Sequence, residues 1–147
     1  MSSKKLGQVI KLFISISGES KRTPKEKIEL NELGVINDKF YNKSVNRSIL
    51  ISCLSSYTLT KSHNIEIPFG YLGENILLDY NPYKLKIGTH LKIGSVILEI
   101  TQNCTICNHL AIIDKSIPEL LKDDRGIFAK VIKSGEIKQE DEVCLEF

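Results

Sequence analysis

The run Leu91-Lys92-Ile93-Gly94-Ser95-Val96-Ile97-Leu98-Glu99-Ile100-Thr101-Gln102-Asn103-Cys104-Thr105-Ile106-Cys107-Asn108-His109-Leu110 decides how the chain is read. Two aliphatic, β-branched segments flank Gly94-Ser95, which is the pattern of a tight hairpin. The second segment then runs into a polar turn that carries two of the four cysteines and one of the three histidines. A strand ending in a loop is where a rigid scaffold presents reactive groups. Thiols need such a place, because a partly exposed thiolate is the useful nucleophile or metal ligand.

Working back from that hairpin, the same strand-and-turn pattern recurs. Gly7 to Ser17 is β-branched and aromatic and predicts a first strand. Gly18 to Lys25 is polar, holds Pro24 and predicts a loop. Glu26 to Leu30 predicts a short half-buried strand. Gly34 to Ser44 is an irregular polar loop holding Asp38 and Phe40, and a loop that long in a small domain is often functional. Arg47 to Ser52 predicts a strand opened by an arginine. Leu54, Tyr57 and Lys61 predict a short helix over Cys53 to His63, although Tyr57-Thr58-Leu59-Thr60 also suits a strand. Pro68 to Gly73 is turn-rich, and Glu74 to Leu78 follows as a strand.

Beyond the cysteines, Ser116-Ile117-Pro118-Glu119 has capping-box spacing, with Pro in the first turn. It predicts a short helix that buries Ile117, Leu120 and Leu121 and stops at Arg125-Gly126. Ile127 to Ile132 predicts a strand, Ser134-Gly135 a turn, and Glu142 to Phe147 a closing strand. No repeat or linker interrupts the chain. The pattern predicts one domain over 1–147, mostly β (α+β): a closed β-barrel of short, mainly antiparallel strands with a few short helices.

The composition sets limits. A chain of 147 residues can bury a real core. An apolar fraction of 41% and a charged fraction of 26% are ordinary for a globular protein. No apolar run approaches a membrane span. Met1-Ser2-Ser3-Lys4-Lys5-Leu6-Gly7 lacks the apolar core of a signal peptide. A cytoplasmic location is expected, with no membrane association. In that reducing setting Cys53, Cys104, Cys107 and Cys144 are expected as thiols or ligands rather than disulfides. A net charge of +2 is too small to imply nucleic acid. Residues 1–47, however, hold 10 basic and 5 acidic side chains. That imbalance either frames a site for a phosphorylated ligand or is a solvated surface.

Several of these segments, taken in order, resemble the MOSC domain, named from the C-terminal domain of molybdenum cofactor sulfurase. They are Gly7-Gln8-Val9-Ile10, Gly34-Val35-Ile36-Asn37-Asp38 before Arg47-Ser48-Ile49-Leu50-Ile51, and Gly70-Tyr71-Leu72-Gly73-Glu74-Asn75-Ile76 with its central Gly-Glu-Asn. Leu85-Lys86-Ile87-Gly88, Leu91-Lys92-Ile93-Gly94 and Leu98-Glu99-Ile100-Thr101 then lead to the cysteines. Arg125 to Val131 and Gly135-Glu136-Ile137 resemble the family's tail. Three positions depart from the pattern, the first being Asn37, where the family's loop has a glycine. The family's loop carries a histidine where this chain has Phe40, and Ile106 replaces the usual proline before the signature cysteine.

The resemblance implies a site built on Cys107, as a molybdenum ligand in a molybdopterin cofactor or as a persulfide sulfur carrier, in a protein that reduces N-hydroxylated compounds where it is an enzyme. A thiolate suits molybdenum because the metal is already held by soft sulfur, and a persulfide carrier needs an accessible thiol. Cys104 would be an accessory that resolves a persulfide as a disulfide. Arg47, Arg125 and nearby Lys39 would hold a pterin phosphate, because a guanidinium meets phosphate bidentately. The alternative for the arginines is an ion pair with Asp38 or Glu74. Asn75 would hydrogen-bond a pterin or substrate, or it and Glu74 only shape a turn. Pyridoxal phosphate is not expected. An electron donor or a molybdoenzyme would be the partner, since the chain has no flavin or iron–sulfur motif.

Two alternatives stand beside this reading. One is a non-catalytic module that transfers sulfur or binds cofactor while docked on a larger molybdoenzyme, which the absent histidine favours. The other is a small β protein stabilised by zinc, in which Cys104 and Cys107 would need two further ligands from His109, Cys144 and Cys53. A thioredoxin-like pair would need a βαβ setting that the sequence lacks. Cys53 and Cys144 sit in apolar segments and are expected in the core. His63 and His90 are expected in solvated loops, and His109, two residues past Cys107, either lowers the pKa of that thiol or has no role toward it.

Overall fold

Gly94 takes φ +58° and turns the chain between two strands, as the sequence requires. The computed structural model describes residues 3–19, 21–105 and 110–146. In chain order the elements are β1 (Ser3–Ile14), β2 (Thr23–Lys25), β3 (Lys27–Asn31), β4 (Gly34–Val35), a 3-10 turn Val45–Arg47, β5 (Ile49–Cys53) and α1 (Leu54–Ser62). Then come β6 (Ile76–Leu78), β7 (His90–Ile93), β8 (Val96–Asn103), α2 (Ile117–Leu120), β9 (Ile127–Lys133), β10 (Gly135–Lys138) and β11 (Glu142–Glu146).

Among the described residues, seven strands close a barrel in the order β1-β11-β7-β8-β9-β5-β6 and back to β1. Only β5 and β6 run parallel, joined by α1 as a crossover. Closure depends on β1, whose first half pairs with β11 and whose second half pairs with β6. Its register shifts between Lys5 and Gly7 and again between Val9 and Lys11, and such bulges bend a strand enough to change partners. Gly7 fits there because a Cβ would sit 2.3 Å from Asp79 Oδ1. β2 extends β1 at its far end, and β10, β3 and β4 make a small separate sheet.

The alternation of the strands sets two cores. Val9, Leu12, Ile49, Ile51, Ile76, Leu78, Leu91, Ile93, Leu98 and Ile100 fill the barrel. Each such buried aliphatic side chain contributes about 1.5–3 kcal/mol. Leu77 points the other way and packs outside the barrel with Tyr57 of α1, Leu72, Ile117 of α2 and Leu121. β6 is therefore buried on both faces, which is why Ile76-Leu77-Leu78 has no polar alternation.

The structure corrects several expected boundaries. β1 starts earlier than Gly7, because β11 supplies partners for Ser3 to Gln8, and it stops at Ile14, because the Ser15 N–H bonds the Asp38 side chain instead of a strand. Arg47 ends a 3-10 turn rather than opening β5. Glu74 and Asn75 precede β6 rather than belonging to it. The helix over Cys53 to His63 forms. The capping box does not form. Ser116 is already helical, and its hydroxyl and N–H both donate to Asp114 Oδ1, at 2.6 and 2.8 Å. These bonds hold the Asp114 carboxyl below its ordinary pKa. The helix is one turn long and ends well before Arg125.

Candidate functional site

Asp38 anchors one end of the barrel. Asn37 adopts φ +74°, a left-handed conformation that asparagine tolerates, and this turns the next side chain inward. The Asp38 carboxylate is buried and accepts three hydrogen bonds: from the Ser15 N–H at 2.6 Å, the Phe40 N–H at 3.0 Å and Asn75 Nδ2 at 3.3 Å. Arg22, from the loop between β1 and β2, brings its guanidinium to 3.6 Å from the same carboxylate. Burial lowers the Arg22 pKa from its ordinary value, Asp38 and then Glu74 oppose that, and Arg125 is close enough to add to the lowering.

Asn75 joins three segments. Its Oδ1 accepts the Leu50 N–H at 3.1 Å, and its Nδ2 donates to the Phe13 carbonyl at 3.3 Å as well as to Asp38. Its backbone bonds the same two residues, taking the Leu50 carbonyl and the Phe13 N–H. Both amide hydrogens are thus directed into the protein. Asn75 forms the floor of the site, and its donors are not offered to a ligand.

Glu74 is wholly buried. Its Oε2 accepts from Ser52 Oγ at 2.7 Å and from the Tyr57 hydroxyl at 2.5 Å. Burial, and then the neighbouring Glu74 carboxylate, push the Tyr57 phenol well above its ordinary pKa. Its oxygen in turn accepts the Gly70 N–H at 3.0 Å. Glu74 Oε1 and Arg22 Nη1 are buried with no hydrogen-bond partner among the described residues. Arg22 Nη1 still faces Asp38 as an ion pair at 3.6 Å, and Glu74 Oε1 lies behind the site, outside the lining of both cavities.

Two cavities open above this floor. The inner one, about 190 Å³, is lined by Phe40, Lys43, Arg47, Ser48, Asn75 and Phe128, among others. The outer one, about 460 Å³, is lined by Ser15, Lys21, Lys39, Phe40, Tyr71 and Ile113, among others. Arg22, Phe40 and Gly73 line both. The Arg22 guanidinium lies 5.6 Å and the Lys39 ammonium 5.0 Å from the centre of the Phe40 ring, and Arg47 lies 5.0 Å from that of Phe128. Cation–π contacts of this kind hold charge at an aromatic wall without neutralising it. Among the described residues, no acid lies within 4.0 Å of Lys21, Lys39, Lys43 or Arg47.

The expected site residues therefore divide. Asp38, Glu74, Asn75 and Arg47 come together at one end of the barrel, and Arg125 is buried close to Arg22. Asp38 pairs with Arg22, a residue the sequence did not single out. The only signal was the basic pair Lys21-Arg22, which a loop of solvated charges also shows. Cys104 follows β8 and is buried against Leu50 and Phe128, with its N–H bonded to the Gly126 carbonyl at 3.0 Å. Cys107 and His109 lie outside the described residues.

Cys53 is in the core as expected, whereas Cys144 is only half-buried, on β11. His63 is exposed. His90 is not in a loop. It lies on β7, where its Nε2 meets Glu99 Oε1 at 3.0 Å, and Lys130 reaches the other oxygen. The His90 hydrogen bond is the main reason the Glu99 carboxyl sits below its ordinary pKa. Among the described residues no group of three or more His, Cys, Asp or Glu side chains is placed to hold a metal, so the described cysteines do not assemble a zinc site. No described helix is long and apolar enough to cross a membrane.

Comparison with known proteins agrees with the barrel. The chain is similar to the crystal structure of the YuaD protein from Bacillus subtilis, at 13% identity, covering 97% of this chain and 96% of that one with a TM-score of 0.79. It is similar to YiiM from Geobacillus stearothermophilus, at 13% identity over 99% of this chain and 76% of that one, TM-score 0.71. It is also similar to YiiM from Escherichia coli, at 16% identity over 93% and 69%, TM-score 0.70. A sequence search of curated proteins finds no match. The model of the MOSC domain matches residues 38–144, from the buried aspartate of the site to the closing strand, and by that match the chain belongs to the MOSC domain family.

Proposed function

We propose that this MOSC domain binds a molybdenum–molybdopterin cofactor, or carries sulfur destined for one as a persulfide, through Cys107. The observation that supports this reading is the inner cavity: unpaired Lys43 and Arg47 beside Ser48, over a floor fixed by Asp38 and Asn75. The residues present fit the group. A terminal phosphate suits the two cations and the hydroxyl. A flat heterocycle suits a cavity walled by Phe40 and Phe128. Arg22, which lines the cavity, offers a guanidinium to the ring system.

Arg47 and Lys43 would seat the phosphate, Arg22 would face the ring system, and the Cys107 thiolate would be the soft ligand. Asp38 acts through Arg22, and Asn75 acts by holding β1 to β5. Arg125 adds positive potential from beneath, and Cys104 stays an accessory thiol. When bound, the cofactor supplies two-electron redox chemistry, and the protein supplies the seat, the orientation and the charge. Electrons for reduction of an N-hydroxylated compound would come from a partner protein.

One observation favours the non-catalytic variant of this reading. Where relatives carry a histidine, Phe40 presents a ring that packs against two cations and cannot transfer a proton. A domain of that kind would hand over sulfur or cofactor to a molybdoenzyme.

The test is elemental analysis with intact mass on protein purified anaerobically from a cofactor-competent host, for wild type and Cys107→Ser. Molybdenum with a pterin, lost in the variant, supports cofactor binding. One extra sulfur, removed by reductant and absent in the variant, supports the carrier. Neither metal nor sulfur in wild type overturns both.

A further inference from the structure

We infer that the outer cavity is a second subsite, for a small organic anion with an aromatic or branched apolar body. It lies beside the inner cavity, across Arg22, Phe40 and Gly73. With a volume of about 460 Å³ it can take a compound of roughly ten heavy atoms or more.

Its lining explains the ligand class. Phe40 and Ile113, which are 43% and 44% exposed overall, both line this cavity. Tyr71 adds a half-buried ring. The charged groups facing the cavity are Lys21, Lys39, Arg22 and Glu19. Arg22 is offset by Asp38, but no acid reaches Lys21 or Lys39 among the described residues. Lys39 Nζ instead sits 5.0 Å from the Phe40 ring centre, between apolar wall and solvent. An apolar wall under an unneutralised ammonium matches a carboxylate on an apolar body. A neutral ligand would leave that charge unused, and a cation would meet it.

Gly73 keeps the two cavities joined. It lines both, holds φ +85°, and a Cβ there would stand 3.5 Å from Arg22 Nη2. A ligand in the outer cavity therefore lies next to whatever fills the inner one. The inference takes its chemistry from the cofactor reading, since the outer ligand would be the compound reduced or the group receiving sulfur. Its binding does not need the cofactor.

The probes are benzoate and the neutral isostere benzamide, titrated into the full isotope-labelled chain and followed by amide and side-chain NMR shifts. The expected result is benzoate shifting Ser15, Phe40, Tyr71, Gly73 and Ile113, with several-fold tighter binding than benzamide. Lys21→Gln with Lys39→Gln should weaken benzoate about tenfold while leaving benzamide unchanged. Lys61→Gln, at an exposed lysine elsewhere, should change neither. Equal binding of the two probes overturns the inference. So does an equal loss in Lys61→Gln, or benzoate shifts confined to Ser48 and Phe128. Absence of molybdenum and sulfur in the elemental analysis would sink the cofactor reading without touching this result, so the two can fail separately.

Discussion

Arg22 Nη1 lies 3.6 Å from Asp38 Oδ1, and this pair joins the loop after β1 to the turn after β4. Arg22 lines the inner cavity, and the buried Asp38 behind it holds the guanidinium there. Asp38 is almost fully buried and Arg22 keeps 17% of its side chain exposed. Removing one partner of such a pair leaves the other charge poorly compensated.

Asp38→Asn should therefore destabilise the fold by about 3 kcal/mol, read as the shift in a urea unfolding curve with unchanged slope. Arg22→Gln should cost less, because Asp38 keeps its three hydrogen-bond donors. The double variant should recover part of the loss, since neither charge is then left alone. Strict additivity of the two single effects would show that the pair contributes no coupling.

Asn75→Ala removes the side-chain bonds to Leu50 N–H and the Phe13 carbonyl and leaves both buried. Orphaned buried groups cost about 1–3 kcal/mol each. The expected loss is about 3 kcal/mol, with faster amide exchange at Leu50. An exchange rate at Leu50 like wild type would mean that the backbone bonds of Asn75 suffice to hold β1 against β5.

Much of the barrel is legible in the chain because its strands obey local rules. Ile93-Gly94-Ser95-Val96 specifies its own hairpin and Ile127 to Ile132 its own strand, whereas the stretch that forms α1 suits helix or strand by itself and is settled as the crossover between β5 and β6. What is not legible depends on distant partners. β1 begins at Ser3 only because β11, at the other end of the chain, pairs with it. Arg22 gives no periodic signal, and its role depends on Asp38. Asn75 reads as a ligand group, but the close passage of Phe13 and Leu50 takes up its amide hydrogens. Cys104 reads as an accessible thiol in a polar turn. The close approach of Gly126, where a Cβ would stand 3.6 Å from Cys104 Cβ, lets the chain fold over it.

Alkaline pH should unfold the domain through two tyrosines. Burial first, and then Glu74 beside Tyr57 and Cys53 beside Tyr83, raise both phenols far above their ordinary 10.0. Their folded pKa values exceed the unfolded ones, so their contribution is complete below about pH 10 and is lost as pH rises toward the folded values. Above pH 10 each tyrosine should remove up to about 1.4 kcal/mol of stability per pH unit. Ultraviolet titration should show Tyr57 and Tyr83 ionising only with unfolding, and Tyr57→Phe should flatten the slope. Ionisation of both in the folded state would contradict the burial argument.

Gly73 and Gly94 both adopt positive φ, but their surroundings differ, and that orders the effect of adding a methyl group. At Gly73 the nearest atom to a Cβ is Arg22 Nη2 at 3.5 Å, an ordinary contact. Gly73→Ala should cost only the backbone strain of φ +85°, about 1–2 kcal/mol. At Gly94 a Cβ would meet the Glu136 carbonyl at 2.7 Å and Asp141 Oδ2 at 2.5 Å. The carbonyl belongs to β10 and cannot swing away, so Gly94→Ala adds a clash to its strain and should cost about 3 kcal/mol or more. Thermal unfolding of the two variants separates them. Gly73→Ala should remain folded with a modest fall in Tm and a narrower passage between the cavities, seen as weaker benzoate binding. Gly94→Ala should lower Tm further without any specific effect on the cavities. The reverse order of stabilities would mean that the turn between β7 and β8 tolerates displacement and that the Gly73 loop is the stiffer support.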